Sequence, residues 1–530
     1  MPEALKERSE IQEQYKWDLT RMYADDAAWE KALDAFDAQL QALAAYAGKL
    51  NTAAGLRAWF DAQTRAERTL SDLFCYASLR RSEDTRAEAA QVMYARAMAK
   101  YVQYGETAAF AEPEILALPE ETLKAFLEDS QLAPYRFLME NLLRRKPHTL
   151  SAAEEQLLAS FGEVISAPGE ISDNLQDADL VFDPVTDSQG SQVEVTGSNY
   201  ILLQSSTDRT LRQNAFRSYY KGYRQHINTF AATYSANVKA AAAEARARHY
   251  QSSRAMSMAG ENIPASVYDN LVATIRKHLP AMYRYVALRK KILGVDELHY
   301  YDVYAPLMPD SEARYTYEQA QQMVLDAVAP LGEDYVEQVK KAFATRWIDV
   351  YPNRGKSGGA YSSGSYDSDP YILTNFTGTL DSVSTIAHEM GHSMHTWHSN
   401  HAQPPQYANY TLFVAEVAST VNENLMIEQL LKKEQEPHAR LALLNQYLEN
   451  FKGTVYRQTM FAEFEREAHA MAERGEALNP AALNALYRGL IADYFGPDLV
   501  MDDEVQYEWA RIPHFYRPFY VYKYATGYST

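Results

Sequence analysis

From about Asp25 to Leu150 apolar residues return at i, i+3 and i+4 among Ala, Leu, Glu, Gln and Arg, as in WEKALDAFDAQLQALAAYAGKL. That spacing lines one face of a helix with residues of high helix propensity, so the stretch predicts a helical region. Pro113, Pro119, Pro134 and Pro147 punctuate it, and Thr149 to Glu154 reads as a new helix start capped by Ser151. The pattern changes over 177–204, where short alternating runs surround a Gly/Ser/Asp turn and predict a small hairpin or loop excursion. Helical spacing resumes from Asp208 to Arg248 and opens a larger unit that runs to the end of the chain. The pattern therefore divides the chain into an N-terminal helical domain (1–115), a connecting helical and hairpin region (116–205) and a C-terminal domain (206–530), without a fixed-period repeat.

Two stretches interrupt the helices of the last part. RGKSGGAYSSGSYDSDP (354–370) predicts a mobile loop or wide hairpin from its Gly and Ser content, and YILTNF (371–376) predicts a short strand between Pro370 and Gly378. The expected fold class is mainly α, with a small β element just ahead of the helix 382–400. Near the C-terminus Tyr516, Tyr520, Tyr524 and Tyr528 recur every four residues, which predicts an aromatic stripe on one helix face.

Length and charge narrow the classes of function. At 530 residues, 47% hydrophobic and 23% charged, the chain can bury a large core and has an ordinary globular composition. A formal charge of -19 repels polyanions, so neither nucleic acid nor an anionic membrane is expected as a partner. The N-terminal stretch is charged throughout, no run is long enough to cross a bilayer, and the one cysteine, Cys75, cannot form an intramolecular disulfide. These features suggest a cytoplasmic protein with Cys75 as a packed core thiol.

The helix 382–400, SVSTIAHEMGHSMHTWHSN, carries H-E-x-x-H as His388, Glu389 and His392. Residues four apart share a helix face, so both imidazoles can reach one zinc ion, and Glu389 can act as general base on a water that the metal acidifies to a pKa of about 7. A third ligand is sought on the predicted helix 409–433, where Val414, Val417, Val421 and Leu425 form an apolar stripe and Glu416, Ser419, Thr420 and Glu423 another face. Glu416 is the expected third ligand. Glu423 is read either as a solvated carboxylate or as the acceptor that fixes the tautomer of a ligand imidazole. His398 stands where the longer metzincin pattern puts its last ligand, but His395 replaces the Gly that lets that chain turn back. In a continuing helix His398 lies about 15 Å and His395 about 10 Å along the axis from His388, too far to share the ion.

Taken together, KWDLTRMYADDAAWEKAL, DRTLRQNAFRSYYKGYRQHINTFA, GKSGGAYS, HEMGHSMH, FVAEVAST and HFYRPFYVYKYATG resemble the oligoendopeptidase F branch of the thimet oligopeptidase-like zinc metallopeptidases over nearly the whole chain. The resemblance implies a large helical metallopeptidase with a deep substrate channel between two halves, one zinc per chain at its floor, 206–530 as the catalytic domain, and short unfolded oligopeptides as substrates. It further implies that His514, Tyr516 and Tyr522 meet the substrate or the developing oxyanion, with His514 and Tyr522 catalytic. Gly359, Ala360 and Tyr361 would belong to a substrate-facing hairpin, and 371–376 would be an edge strand to which a peptide adds. The sequence ends at Thr530, where such relatives continue into a further helix. A non-catalytic peptide-binding protein and a peptidase releasing dipeptides from a chain end remain the alternative readings.

Overall fold

The N-terminal periodicity resolves into helices Asp26–Ala44, Ala53–Glu83 and Glu88–Ala108 in the computed structural model, which describes residues 5–308 and 313–530. Asp25 and Thr52 cap the first two, each accepting from a backbone N–H of the first turn (Ala28, Gly55) that would otherwise lack a partner. Ser151 caps the start of Ala152–Ser160 as expected, and with Glu154 it forms a reciprocal capping box. The chain packs as two units, each drawn from two separated stretches: Met1–Pro147 with Glu312–Lys433, and His148–Ser311 with Glu434–Thr530. The linear division at 115 and 205 follows composition, whereas these units follow packing.

In the first unit Trp29, Phe36, Trp59 and Leu73 are fully buried in one core, with the Trp29 indole N–H donating to the Leu73 carbonyl and Cys75 packed beside them. A second core joins Trp347, Ile348 and Val350 to Val383, Ile386, Met390 and Met394 of the helix Leu380–Ala402. The strand Tyr371–Leu373 connects the two cores by simple alternation: Tyr371 and Leu373 enter the first, Ile372 the second. It pairs parallel with Ile348–Asp349 on one side and antiparallel with Tyr361–Ser363 on the other. This corrects the expectation of an edge strand over 371–376. An apolar strand buried on both faces belongs in the middle of a sheet, and the open edge falls to Tyr361–Ser363, whose residues are only half-buried. The Gly/Ser-rich stretch is thus a wide hairpin.

The second unit is also helical, with Arg209–Gln225, Ile227–Ala247, Ala265–Leu293, Gln458–Glu473 and Pro480–Phe495 as its longest members. The predicted hairpin is present as Val185–Thr186 paired with Gln192–Val193. In this unit fully buried Glu508 accepts from Arg457, Arg511, Tyr300 and Tyr487. Burial opposes its charge, but the two guanidiniums hold the carboxyl down at about 2. The C-terminal tyrosine periodicity does not form a single helix face. A 3-10 turn, Pro513–Tyr516, and the helix Tyr522–Ser529 are separated by Phe519 in the left-handed region at φ 57°, so the tyrosines point to different surroundings. Among the described residues no helix is long and apolar enough to cross a membrane.

Candidate metal centre

Thr379 caps the helix Leu380–Ala402 by accepting from the Ser382 N–H, and Val383, Ile386, Ala387, Met390 and Met394 turn into the core. Their spacing leaves His388 and His392 together on another face. The helix Leu412–Lys433 crosses this one in close contact at Gly391, where a Cβ would stand 2.6 Å from the Ala418 carbonyl oxygen and the Ser419 Cα. Only a glycine lets the two backbones come so near. Asn422, fully buried, donates from Nδ2 to the Ala387 carbonyl (3.1 Å) and accepts from the Tyr335 hydroxyl (3.2 Å), which fixes the register of the crossing.

That crossing carries Glu416 to the histidines. Its Oε2 lies 3.4 Å from Nε2 of His388 and 3.6 Å from Nε2 of His392 and also accepts from the Ser419 hydroxyl at 2.8 Å. One ligand atom from each of the three residues lies within 4.8 Å of the others. Tetrahedral zinc with bonds of about 2.0–2.2 Å spaces its ligands roughly 3.3–3.6 Å apart, so both carboxylate–imidazole separations fit that ion. Glu423 accepts at Nδ1 of His388, 3.2 Å away, which turns Nε2 toward Glu416. Burial opposes a charge on His388, yet Glu423 and the neighbouring Glu389 and Glu416 hold its pKa above the ordinary imidazole range. Burial, with His388 beside it, takes His392 down to about 4.

Glu389 is 7% exposed and its Oε2 has no hydrogen-bond partner among the described residues. Burial pushes its carboxyl up to about 7; Glu416 and Glu423 add to the rise, while His388 and the Ser362 backbone N–H oppose it. The open-edge strand runs against the same helix, with the Ser362 and Ser393 hydroxyls 2.8 Å apart. Gly359, at φ 74°, and Ala360 lead into that strand. Tyr361 packs its ring against the N-terminal core, so what it can offer a peptide is backbone. His395 stacks on Tyr410 at 3.6 Å and His398 on Tyr335 at 6.0 Å, away from the three-residue cluster, as the helical arithmetic required.

The C-terminal candidates lie in the second unit. His514 is half-buried between Tyr520 and Tyr524, with ring centroids at 6.0 and 6.3 Å, and the Tyr524 hydroxyl donates to that of Tyr520 at 3.0 Å. Tyr516 shares a 2.7 Å hydrogen bond with Thr233. Tyr522 is 1% exposed with its ring 4.9 Å from that of Tyr268, and burial pushes its phenol well up. The structure thus groups Tyr520 and Tyr524 with His514, and Tyr522 with the core. Sequence reading missed Gly391 and Asn422; a glycine inside a helical pattern was the available signal for the first.

Residues 202–530 match Peptidase family M3, and residues 114–182 match the family described as Oligopeptidase F. The chain is 43% identical over 527 residues to oligopeptidase PepF of Bacillus subtilis, covering 99% of this chain and 79% of that one. It is 41% identical to the group B oligopeptidase PepB of Streptococcus agalactiae, over 98% of this chain and 87% of the relative. Among solved structures, oligoendopeptidase F from Enterococcus faecium superposes with TM-score 0.71 at 34% identity, over 95% of this chain and 86% of that one. A structure from Chlamydophila abortus superposes with TM-score 0.93 at 34% identity, covering 99% and 88%. With a His-His-Glu cluster of zinc spacing on two crossing helices, the chain belongs to peptidase family M3, in its oligopeptidase F branch.

Proposed function

We propose that the chain is a zinc metalloendopeptidase of short unfolded oligopeptides, holding one zinc through His388, His392 and Glu416 and using Glu389 as general base. The observation that carries this reading is the half-buried His-His-Glu cluster with a buried carboxylate beside it that keeps one oxygen unpaired. Bound zinc supplies Lewis acidity, polarising the scissile carbonyl and making water a nucleophile near neutral pH. Glu389 takes the proton from the attacking water and passes it to the leaving amine. Glu423 keeps His388 in the tautomer that presents Nε2. The open edge at Tyr361–Ser363, entered through Gly359 and Ala360, receives the peptide as an added strand, so recognition runs through backbone and tolerates varied side chains. A deep channel recesses the site, 206–530 is the catalytic part and follows the 1–115 and 116–205 parts in the chain, and the lone buried cysteine suits a cytoplasmic setting.

Purified protein is expected to cut internal bonds of short flexible peptides, to stop when a chelator strips the metal, and to spare stably folded proteins. Mass spectrometry of the products separates the readings. Binding without chelator-sensitive cleavage would identify a binding protein, and successive terminal dipeptides would identify the other peptidase type. Efficient digestion of a folded protein would overturn the recessed site.

His514 and Tyr522 are the groups assigned to the developing oxyanion, with Tyr516 as a substrate contact. Tyr522→Phe is expected to lower kcat by roughly 10² with little change in KM, as loss of an oxyanion donor does. A change in KM alone would make Tyr522 a substrate-binding residue.

A further inference from the structure

Lys356 lies in the crossover that leaves the strand Ile348–Asp349, passes the central strand, and enters the open-edge strand Tyr361–Ser363 from the other side. It is a fully buried ammonium, its side chain 1% exposed. It donates to the Tyr351 carbonyl at 2.8 Å and the Asp349 carbonyl at 3.2 Å, and its charge is met by Asp349 Oδ1 at 2.7 Å. Asp349 is equally buried and holds Arg8 with its other oxygen at 2.5 Å; Arg8 in turn reaches Glu83 at the end of the helix Ala53–Glu83. The crossover backbone docks on the same helix end. Thr85 N–H donates to the Gly355 carbonyl, Ser357 N–H to the Ser82 carbonyl, and Asn353 Nδ2 to the Glu83 carbonyl.

Beyond this point the tethers change. Asn375 Nδ2 holds the Ser357 and Gly359 carbonyls, Tyr361 packs its ring on the N-terminal core, and Ser362 is tied to Ser393 on the helix that bears the histidines. A Cβ at Gly358 or Gly359 would meet open space, so apart from Asn375 no neighbouring side chain packs on these two residues to stiffen the segment. A buried ion pair adds little to stability over two apolar residues, because desolvation cancels most of the attraction. What it supplies is a fixed position for the chain that carries it.

We infer that Lys356 is a positioning residue for the open-edge strand: anchored on Asp349, it sets where Tyr361–Ser363 lies along the helix of His388 and His392. The inference rests on the reading that this edge receives the peptide. Lys356→Met leaves Asp349 paired with Arg8 and the backbone ties at Gly355 and Ser357 in place, and removes the ammonium that meets Asp349 Oδ1 and the Asp349 and Tyr351 carbonyls. The zinc-loaded full chain is assayed with internally quenched peptides lengthened one residue at a time. In Lys356→Met, KM is expected to rise about tenfold for the longer peptides, the loss of one or two hydrogen bonds' worth of binding, with kcat, zinc content and the shortest peptide unchanged. Asn375→Ala frees the same crossover without touching a buried charge. It is expected to give the same length-dependent pattern and carries the test where Lys356→Met does not fold. A wild-type KM profile in a folded, zinc-loaded variant, or an equal loss at every length, overturns the inference. If the wild-type enzyme itself shows no benefit from length, the substrate-strand reading fails instead. Hydrogen exchange at the Tyr361–Ser363 amides then decides the anchor alone: faster exchange in Lys356→Met supports it, unchanged exchange overturns it.

Discussion

Glu389→Gln is expected to keep its zinc and to lose about 10²–10⁴ in kcat, the usual cost of removing a general base. Glutamine has the size of glutamate, so the packing of this 7% exposed side chain is kept. What changes is proton affinity. The buried carboxyl sits near 7, where it can both accept a proton and release it at neutral pH, while an amide can do neither. His388 and His392, the proposed ligands, lie on the same helix, and Glu423 rather than Glu389 holds His388. Steady-state kinetics with metal content measured on the same samples checks the expectation. Turnover at the wild-type rate would remove Glu389 from the chemistry, and loss of zinc would make it part of the metal's support.

The helices and the metal-site spacing were legible because both follow from local rules. A 3.6-residue period predicts an apolar face wherever one is buried, and His388, Glu389 and His392 keep their relation in any regular helix. The distance argument that set His395 and His398 aside used only helical rise. Glu416 was reachable because the helix carrying it has unlike faces. Yet the face that packs is the one with Ser419, Thr420 and Asn422, while Val421 is 36% exposed, so hydrophobic pattern alone would have pointed the helix the wrong way. The small side chains are inside because the close crossing at Gly391 leaves no room for larger ones.

What sequence could not give was order in space between segments far apart in the chain. YILTNF reads as a strand, but whether it lies at the edge or the centre depends on Ile348–Asp349, a two-residue partner too short to announce itself. The tyrosines every four residues suggest one face until the left-handed residue Phe519 breaks the helix. Phe519 gives no warning as a residue type. Its N–H donates to the fully buried Glu465 at 2.6 Å, a long-range contact that helps hold the turn and that separates Tyr522 from Tyr520 and Tyr524.

The metal ligands should separate by graded loss of zinc. Glu416→Ala removes one of the three proposed protein ligands, the one that is a carboxylate, and leaves two imidazoles, so zinc is expected to fall from about one per chain to near zero after dialysis. His388→Ala is expected to behave the same way. Glu423→Gln touches no ligand atom. It only weakens the hold on Nδ1 of His388, 3.2 Å away, and such supporting carboxylates typically contribute about 10–100-fold in affinity, so this variant should refill with zinc in excess metal and regain activity. Competition with a chromophoric chelator ranks the series. Were Glu416→Ala to hold zinc as tightly as wild type, the third ligand would lie elsewhere, although Glu416 is the carboxylate whose oxygen stands 3.4 and 3.6 Å from the two imidazoles. Were Glu423→Gln to lose zinc beyond recovery, Glu423 would be a ligand in its own right, and the tautomer of His388 would have to be fixed by another group.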